Sequence, residues 1–502
     1  MKQHSEFNAN PPKPVRLEDY FEPFRNHIIG GNFEHRFRSG KRRLIYADWA
    51  ASGRLYRPIE RYISEGLGPY VANTHTDSTL TGRTTTAMYQ QARQIIKRHV
   101  GAGPDDALLF AGFGMTAAVN KLQRILGLRI NERLKRQVNL DENRRPLIIV
   151  THMEHHSNQT SWQECLGDVT IIQRATDGTP DLDHLRAILA ANRHRKLKIG
   201  AFTACSNVTG ILTPYHDMAA IMHDNGGYCF VDFSTSAPYV NINMHPDTPD
   251  HHLDAIYFSP HKFLGGPGAS GVLVFNKRLY RNRVPDHPGG GTVAWTNPWQ
   301  EQRYYEDIEV REDGGTPGFL QAIKAALAVM LKEKMGVNQI LAREYQLQRR
   351  LVDGLSNNPA IHILEPQQMQ RLGIISFYCR NIHYNLIVKL LNDRFGIQSR
   401  GGCSCAGTYG HLLMGVNKML SMSITKRIDE GDLSTKPGWV RVSLHPTMTD
   451  MEIDALIAAV EEIVDHYKQW REEYRFNSAT GEFDRRDGAD KYPDLRDASR
   501  LL

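Results

Sequence analysis

Ala255-Ile256-Tyr257-Phe258-Ser259-Pro260-His261-Lys262 joins four consecutive apolar residues to a short polar turn that ends on a lysine, with Gly265-Gly266 close behind. An apolar run of this length, bounded by turn residues, reads as a buried strand. Five other runs have the same character: Ala107–Phe110, Leu147–Val150, Ile199–Thr203, Tyr228–Val231 and Gly271–Phe275. Between them lie segments with apolar residues at helical spacing, such as Ala117–Leu128 and Leu182–Ala191. Strands alternating with helices predict an α/β fold, a mostly parallel sheet covered on both faces. We assign this large domain to residues 45–320. Ile323, Ala326, Leu327, Met330 and Leu331 then mark one face of a bridging helix. A smaller α+β domain follows over residues 321–475. Near its end, Thr449 and Glu452 spell a capping box ahead of Ile453, Leu456, Ile457, Val460 and Val464. Residues 1–44 are read as an arm packing on the small domain, and residues 476–502 as a polar tail.

The chain has 502 residues, 41% of them hydrophobic and 23% charged, as expected of a folded globular protein. Its 61 basic and 55 acidic residues leave a net charge of +6, spread too thinly to suggest nucleic acid as a partner. No apolar stretch approaches the roughly 18 residues of a membrane span, and the opening MKQHSEFNANPPKPV lacks the apolar core of a secretory signal. The six cysteines are sparse and irregularly spaced, which fits a reducing, cytoplasmic setting better than a disulfide framework. Cys403 and Cys405 have no metal-ligand spacing around them, so no metal site is expected.

A lysine at the C-terminal end of a sheet strand points into the crevice where α/β proteins bind ligands. Lys262 holds such a position, and Asp232 closes the run Tyr228–Val231. A buried carboxylate needs a cation or hydrogen-bond donors. A lysine for a Schiff base and an acid for a pyridinium nitrogen are the pair that pyridoxal phosphate requires. Two further strand exits carry Glu154-His155-His156-Ser157-Asn158 and Ser206-Asn207-Val208-Thr209-Gly210: an imidazole to stack on a flat ring and an amide to meet its phenolic oxygen. Gly112-Phe113-Gly114-Met115-Thr116 opens a helix after a strand, a setting that favours a phosphate. Gly112, Gly114 and Ala117 also match a dinucleotide pattern, but no acidic strand end follows about 20 residues on, so an NAD-dependent oxidoreductase is the lesser reading. In Arg400-Gly401-Gly402-Cys403-Ser404-Cys405-Ala406-Gly407, flanking glycines indicate an exposed loop, and a neighbouring arginine favours a nucleophilic thiolate. Arg441, on an expected strand of the small domain, has the planar fork of donors that clamps a carboxylate.

Together these stretches resemble the class V aminotransferase family of pyridoxal phosphate enzymes, in particular its cysteine desulfurase and selenocysteine lyase branch. The likeness runs from Tyr46-Ala47-Asp48-Trp49-Ala50-Ala51 to Arg441 and rests on an ordered set: E-H-H-S-N, S-N-V-x-G, V-D, S-x-H-K, G-G-T-P and R-G-G-C-x-C. The cysteine loop also resembles that of the desulfurase domain of molybdenum cofactor sulfurases. The resemblance implies a fold-type I architecture with Lys262 anchoring the cofactor, Asp232 at its ring nitrogen, His156 stacked on the ring and Asn207 at the phenolic oxygen. Gly114, Thr116, Ser259 and His261 would hold the phosphate, with Thr316 reaching it from a second subunit. Arg400 and Arg441 match substrate-carboxylate positions, Cys405 the persulfide-forming cysteine, and His75 an entrance residue. Two departures stand out: Thr235 occupies the place of a usual glutamine near the ring, and Gly-Gly-Cys-Ser precedes Cys405 where histidines are common.

The resemblance therefore implies an enzyme that takes sulfur from L-cysteine or a related small amino acid through a Cys405 persulfide, releasing alanine. A homodimer and a sulfur-acceptor protein are its implied partners. Another class V reaction at the same site (transamination, epimerisation or C–S lysis) is the alternative. A silent scaffold is disfavoured by the intact lysine, aspartate and histidine set.

Overall fold

The computed structural model of the protein describes residues 16–37 and 40–488. Residues 1–15 of the expected arm and 489–502 of the expected tail lie outside the described residues.

The apolar runs become the strands of a seven-stranded sheet. In chain order these are β1 (Asp106–Ala111), β2 (Leu147–Val150), β3 (Asp168–Ile171), β4 (Lys198–Thr203), β5 (Tyr228–Asp232), β6 (Ala255–Phe258) and β7 (Gly271–Asn276). Their spatial order is β1-β7-β6-β5-β4-β2-β3. The strands β3, β2, β4, β5 and β6 run parallel, while β7 is antiparallel to both β1 and β6. Alternate residues of the same strand enter different cores. Ile149, Val231, Ile256 and Phe258 pack on one face, whereas Ile148, Val150, Phe230, Ala255 and Tyr257 pack on the other. Strands buried on both sides read as unbroken apolar runs, which is why five of the six predicted runs differ from the observed strands by one residue or none. The exception is Ala107–Phe110, extended by one residue at each end. Strand β3 had no such signal: its sequence, Asp-Val-Thr-Ile, is half-buried at the sheet edge.

The helix Phe319–Met335 packs on the large sheet and leads through Gly336 into Val337–Ser356. Beyond it lies a four-stranded antiparallel sheet of β8 (Ile361–Ile363), β9 (Ile374–Cys379), β10 (Arg400–Gly402) and β11 (Trp439–Ser443), in the order β8-β9-β11-β10. The helix Asp450–Arg471 starts with the capping box expected of Thr449 and Glu452. Phe21, from the first described helices, is buried in the same core as these elements. Ordered chain continues past residue 475 as a hairpin of Tyr474–Asn477 and Glu482–Arg485, with Tyr474 and Phe483 buried in that core.

Two features orient the site. The parallel strands β2, β4, β5 and β6 all end on the side of the sheet that faces the small sheet. The register of β10 and β11 then sets Arg400 directly opposite Arg441.

Candidate functional site

A cavity of about 920 Å³ lies where these ends meet, lined by both lobes. The chain reaches Lys262 through a single 3-10 turn after β6. Two close backbone approaches hold that turn: a Cβ on Gly266 would collide with the Pro260 carbonyl, and one on Gly53 with that of Phe263. Lys262 is half-buried on the cavity wall, and burial is the main cause that lowers its ammonium to about 8, against the opposing pull of Asp232. Asp232 ends β5 on the same cavity wall, with its Oδ1 accepting from Ser234 N–H at 2.8 Å. Burial raises its carboxyl above the usual range, and Lys262 and Ser234 pull it back. The amine and the acid thus share one cavity, each the other's charged neighbour.

The polar cradle beside them is built from three segments. Gly114 caps the helix Met115–Ile125, and a side chain there would press on Ser259 Oγ and the His261 ring. Ser259 Oγ accepts from Met115 N–H at 2.9 Å, and Thr116 Oγ1 donates to Ser157 Oγ at 2.8 Å. Gly112, with φ of +49°, has no room for a Cβ against Ala117. His261 is pushed down to about 4, first by burial and then by Lys262, so it offers a neutral ring. A helix N-terminus flanked by hydroxyls is suited to a phosphate. Thr235 also lines the cavity.

One expectation is corrected here. The imidazole on the cavity wall belongs to His155, not His156. His155 is the N-cap of the helix His156–Gln163, its Nδ1 accepting from Ser157 N–H at 3.1 Å. Residue 156 begins the helix and turns to the other side. There His156 Nε2 accepts from Gly407 N–H at 2.9 Å, and its own N–H donates to the Cys405 carbonyl at 2.7 Å. His156 therefore fastens the cysteine loop. Burial, followed by Lys262, lowers His155 to about 3, and the ring is neutral. Below both, the buried Glu154 carboxylate accepts from Thr151, Asn158 and Thr203 and ties the exits of β2 and β4 together.

Asn207 lines the cavity, but its Nδ2 donates to the Ser404 carbonyl at 2.7 Å. One of its two amide hydrogens is thus committed to the cysteine loop, while its Oδ1 is buried without a partner. Ser404 and Cys405 are both in the left-handed region, at φ of 51° and 55°, a conformation that non-glycine residues adopt only when held there. His156 and Asn207 supply that hold. Cys403 and Cys405 both line the cavity, and all six cysteines are free thiols.

Arg400 and Arg441 face each other across β10 and β11, and like charges so placed repel. Asp48 lies between them, 2.9 Å from Arg400 and 2.8 Å from Arg441. The sequence reading quoted Asp48 without a role. Ser157 and Lys436 are two further cavity residues it did not single out. Neither His75 nor Thr316 lines this cavity. Thr316 belongs to an adjoining pocket of about 560 Å³ that shares Phe113, Ala117, Asn120 and Arg124 with it. His75 lies beside Gly291, and Gly290 accepts from Gly315 N–H at 2.8 Å. These two candidates are therefore near each other and outside the cavity of the single chain.

Comparisons with known proteins place the chain in a family and a fold. The model of the aminotransferase class-V family matches residues 45–456. A probable cysteine desulfurase of Halalkalibacterium halodurans is 26% identical over 428 residues, covering 84% of this chain and 94% of its own. One from Staphylococcus epidermidis is 26% identical over 430 residues, covering 85% and 93%. Among solved structures, a cysteine desulfurase from Thermococcus onnurineus in its apo form aligns with a TM-score of 0.70 at 23% identity, covering 88% of this chain and 98% of that one. The Escherichia coli cysteine desulfurase with an S-sulfonic acid aligns at 0.66 and 21%, covering 87% and 98%. At these identities the structural likeness establishes the fold.

Proposed function

The chain belongs to the class-V aminotransferase family, and from that membership we propose that it is a pyridoxal phosphate-dependent cysteine desulfurase. It would remove sulfur from L-cysteine or a related amino acid through a persulfide on Cys405 and release alanine. The observation that carries the proposal is the single cavity shared by Lys262, Asp232 and Cys405. The names of the relatives support the same reading.

The residues present fit pyridoxal phosphate. Asp232 is a buried acid facing the cavity and suited to the proton of a ring nitrogen, and the cradle of Gly114, Thr116, Ser157, Ser259 and His261 suits the phosphate. His155 is the flat ring available for stacking. Bound through Lys262, the cofactor supplies a ring that accepts the electron pair left at the substrate α-carbon. Lys262 Nζ, which burial brings down from the usual lysine range, is the amine placed to move the α-proton. Arg441, 3% exposed and sharing Asp48 with Arg400, presents its guanidinium to the substrate carboxylate. Cys405 then meets the substrate sulfur from the opposite lobe.

We assign a homodimer to the working enzyme, with Thr316 and His75 completing a neighbouring cavity. The adjoining pocket they approach and the 79% exposed Phe113 on the shared rim support this. Free thiols throughout support a reducing, cytoplasmic setting, and among the described residues no helix is long and apolar enough to cross a membrane. Incubating the cofactor-loaded protein with L-cysteine and a thiol reductant tests the reaction. Alanine and sulfide in equal amounts are expected, and Cys405→Ala should abolish both while retaining the cofactor. Pyruvate with ammonia instead would transfer the site to C–S lysis.

A further inference from the structure

Cys403 has no part in that reaction, yet it stands in the same cavity as Cys405. Only Ser404 separates them. Two residues span at most about 7 Å of extended chain, and the left-handed φ of both Ser404 and Cys405 coils the backbone here. Thiols borne on α-carbons about 4.4–6.8 Å apart can come into bonding distance.

Their surroundings differ. Cys405 is exposed and within electrostatic reach of Arg400 and Arg441. Cys403 is half-buried and packs against an apolar cluster that includes Ala406, Tyr409 and Trp439, while its carbonyl accepts from Ala406 N–H at 3.0 Å. One thiol thus faces the charged side of the cavity, and the other sits in a drier niche behind it. Both are unpaired.

We propose that Cys403 is a second sulfur-carrying residue, taking the outer sulfur from a Cys405 persulfide and holding it in the apolar niche. This rests on the desulfurase reading given above. In the step, the Cys403 thiolate attacks the outer sulfur. A bond from Cys403 to that sulfur forms as the sulfur–sulfur bond to Cys405 breaks, and Cys405 leaves as a thiolate. The transferred sulfur keeps its proton, so one thiolate and one persulfide become another thiolate and another persulfide with no net oxidation. Cys405 is then free for a second turnover before any acceptor arrives.

The test is a burst measurement on the cofactor-loaded chain with excess L-cysteine and neither acceptor nor reductant. Two alanines per chain are expected from the wild type, one from Cys403→Ser and none from Cys405→Ser. After one equivalent of cysteine, alkylation and peptide mass mapping should find the added sulfur on Cys403. A wild-type burst of one, with sulfur only on Cys405, would overturn the relay while leaving the desulfurase reading intact. So would a Cys403–Cys405 disulfide with free hydrosulfide, since it means attack on the inner sulfur. No alanine from the wild type would refute the desulfurase reading, and the relay with it.

Discussion

The two walls of the cavity are built on different physical terms. The wall carrying Lys262 and Asp232, with Glu154 buried behind it, is made of strand exits whose strands are buried on both faces, so the position of each side chain is set by a core already closed. The wall carrying Cys403 and Cys405 is a loop with two left-handed residues, held by three hydrogen bonds from His156 and Asn207. Further along, the helix Lys418–Asp429 buries none of its residues. Met419 and Met422 are 79% and 60% exposed. The cofactor half is therefore preorganised by packing and the sulfur half by a few polar tethers, an arrangement that lets a thiol move while the ring's contacts stay still.

Substitutions grade this contrast. Asp48→Ala leaves Arg400 and Arg441 opposed across β10 and β11, with Arg441 buried and unpaired. Breaking a buried pair costs about 3–5 kcal/mol, and denaturant unfolding should show a loss of that size. A loss under about 1 kcal/mol would mean that the arginine pair does not need the carboxylate.

Acid should find a weakness in the small lobe behind the cavity. His445, just past β11 and stacked on Trp49, is lowered to about 3 by burial. The folded chain keeps it neutral, while the unfolded chain protonates it below about 6.5. Its contribution is whole above that value and is lost as pH falls toward 3, at up to about 1.4 kcal/mol per pH unit. In His445→Phe the slope of stability against pH over this window should be smaller than in the wild type by up to that amount. Equal slopes would contradict a neutral buried ring.

His156→Ala removes one tether of the loop, a hydrogen bond of about 1 kcal/mol net. Sulfur transfer to Cys405 should fall roughly fivefold while cofactor absorbance stays unchanged, as stopped-flow single turnovers would show. Loss of the cofactor instead would return the ring-stacking role to His156. At the small end, Met422→Ser on the unburied helix should change stability by less than about 0.5 kcal/mol.

Much of the packed wall was legible in the sequence because burial on both faces writes a strand as a continuous apolar run. Lys262 and Asp232 stood out because each follows such a run directly. The choice between His155 and His156 was harder: two identical residues adjoin, and only helix phase separates them. The signal was present, since an N-cap precedes a residue whose N–H it can accept, and Ser157 lies two positions after His155. Asp48 was hidden for another reason. Its partners lie more than 350 residues away, joined by the β10–β11 register that no local pattern encodes. The half-buried edge strand Asp168–Ile171 and the unburied helix Lys418–Asp429 lacked the periodicity that burial imposes.

The pairing of one amine with one acid inside one cavity is tested most directly by trapping. The protein is incubated with pyridoxal phosphate, reduced with borohydride, digested and mapped by mass. The expected result is a single modified peptide with the reduced cofactor on Lys262, and a marked loss of the trapped species in Asp232→Ala. Modification at Lys436, Lys332 or several lysines alike, with Lys262 unlabelled, would contradict it.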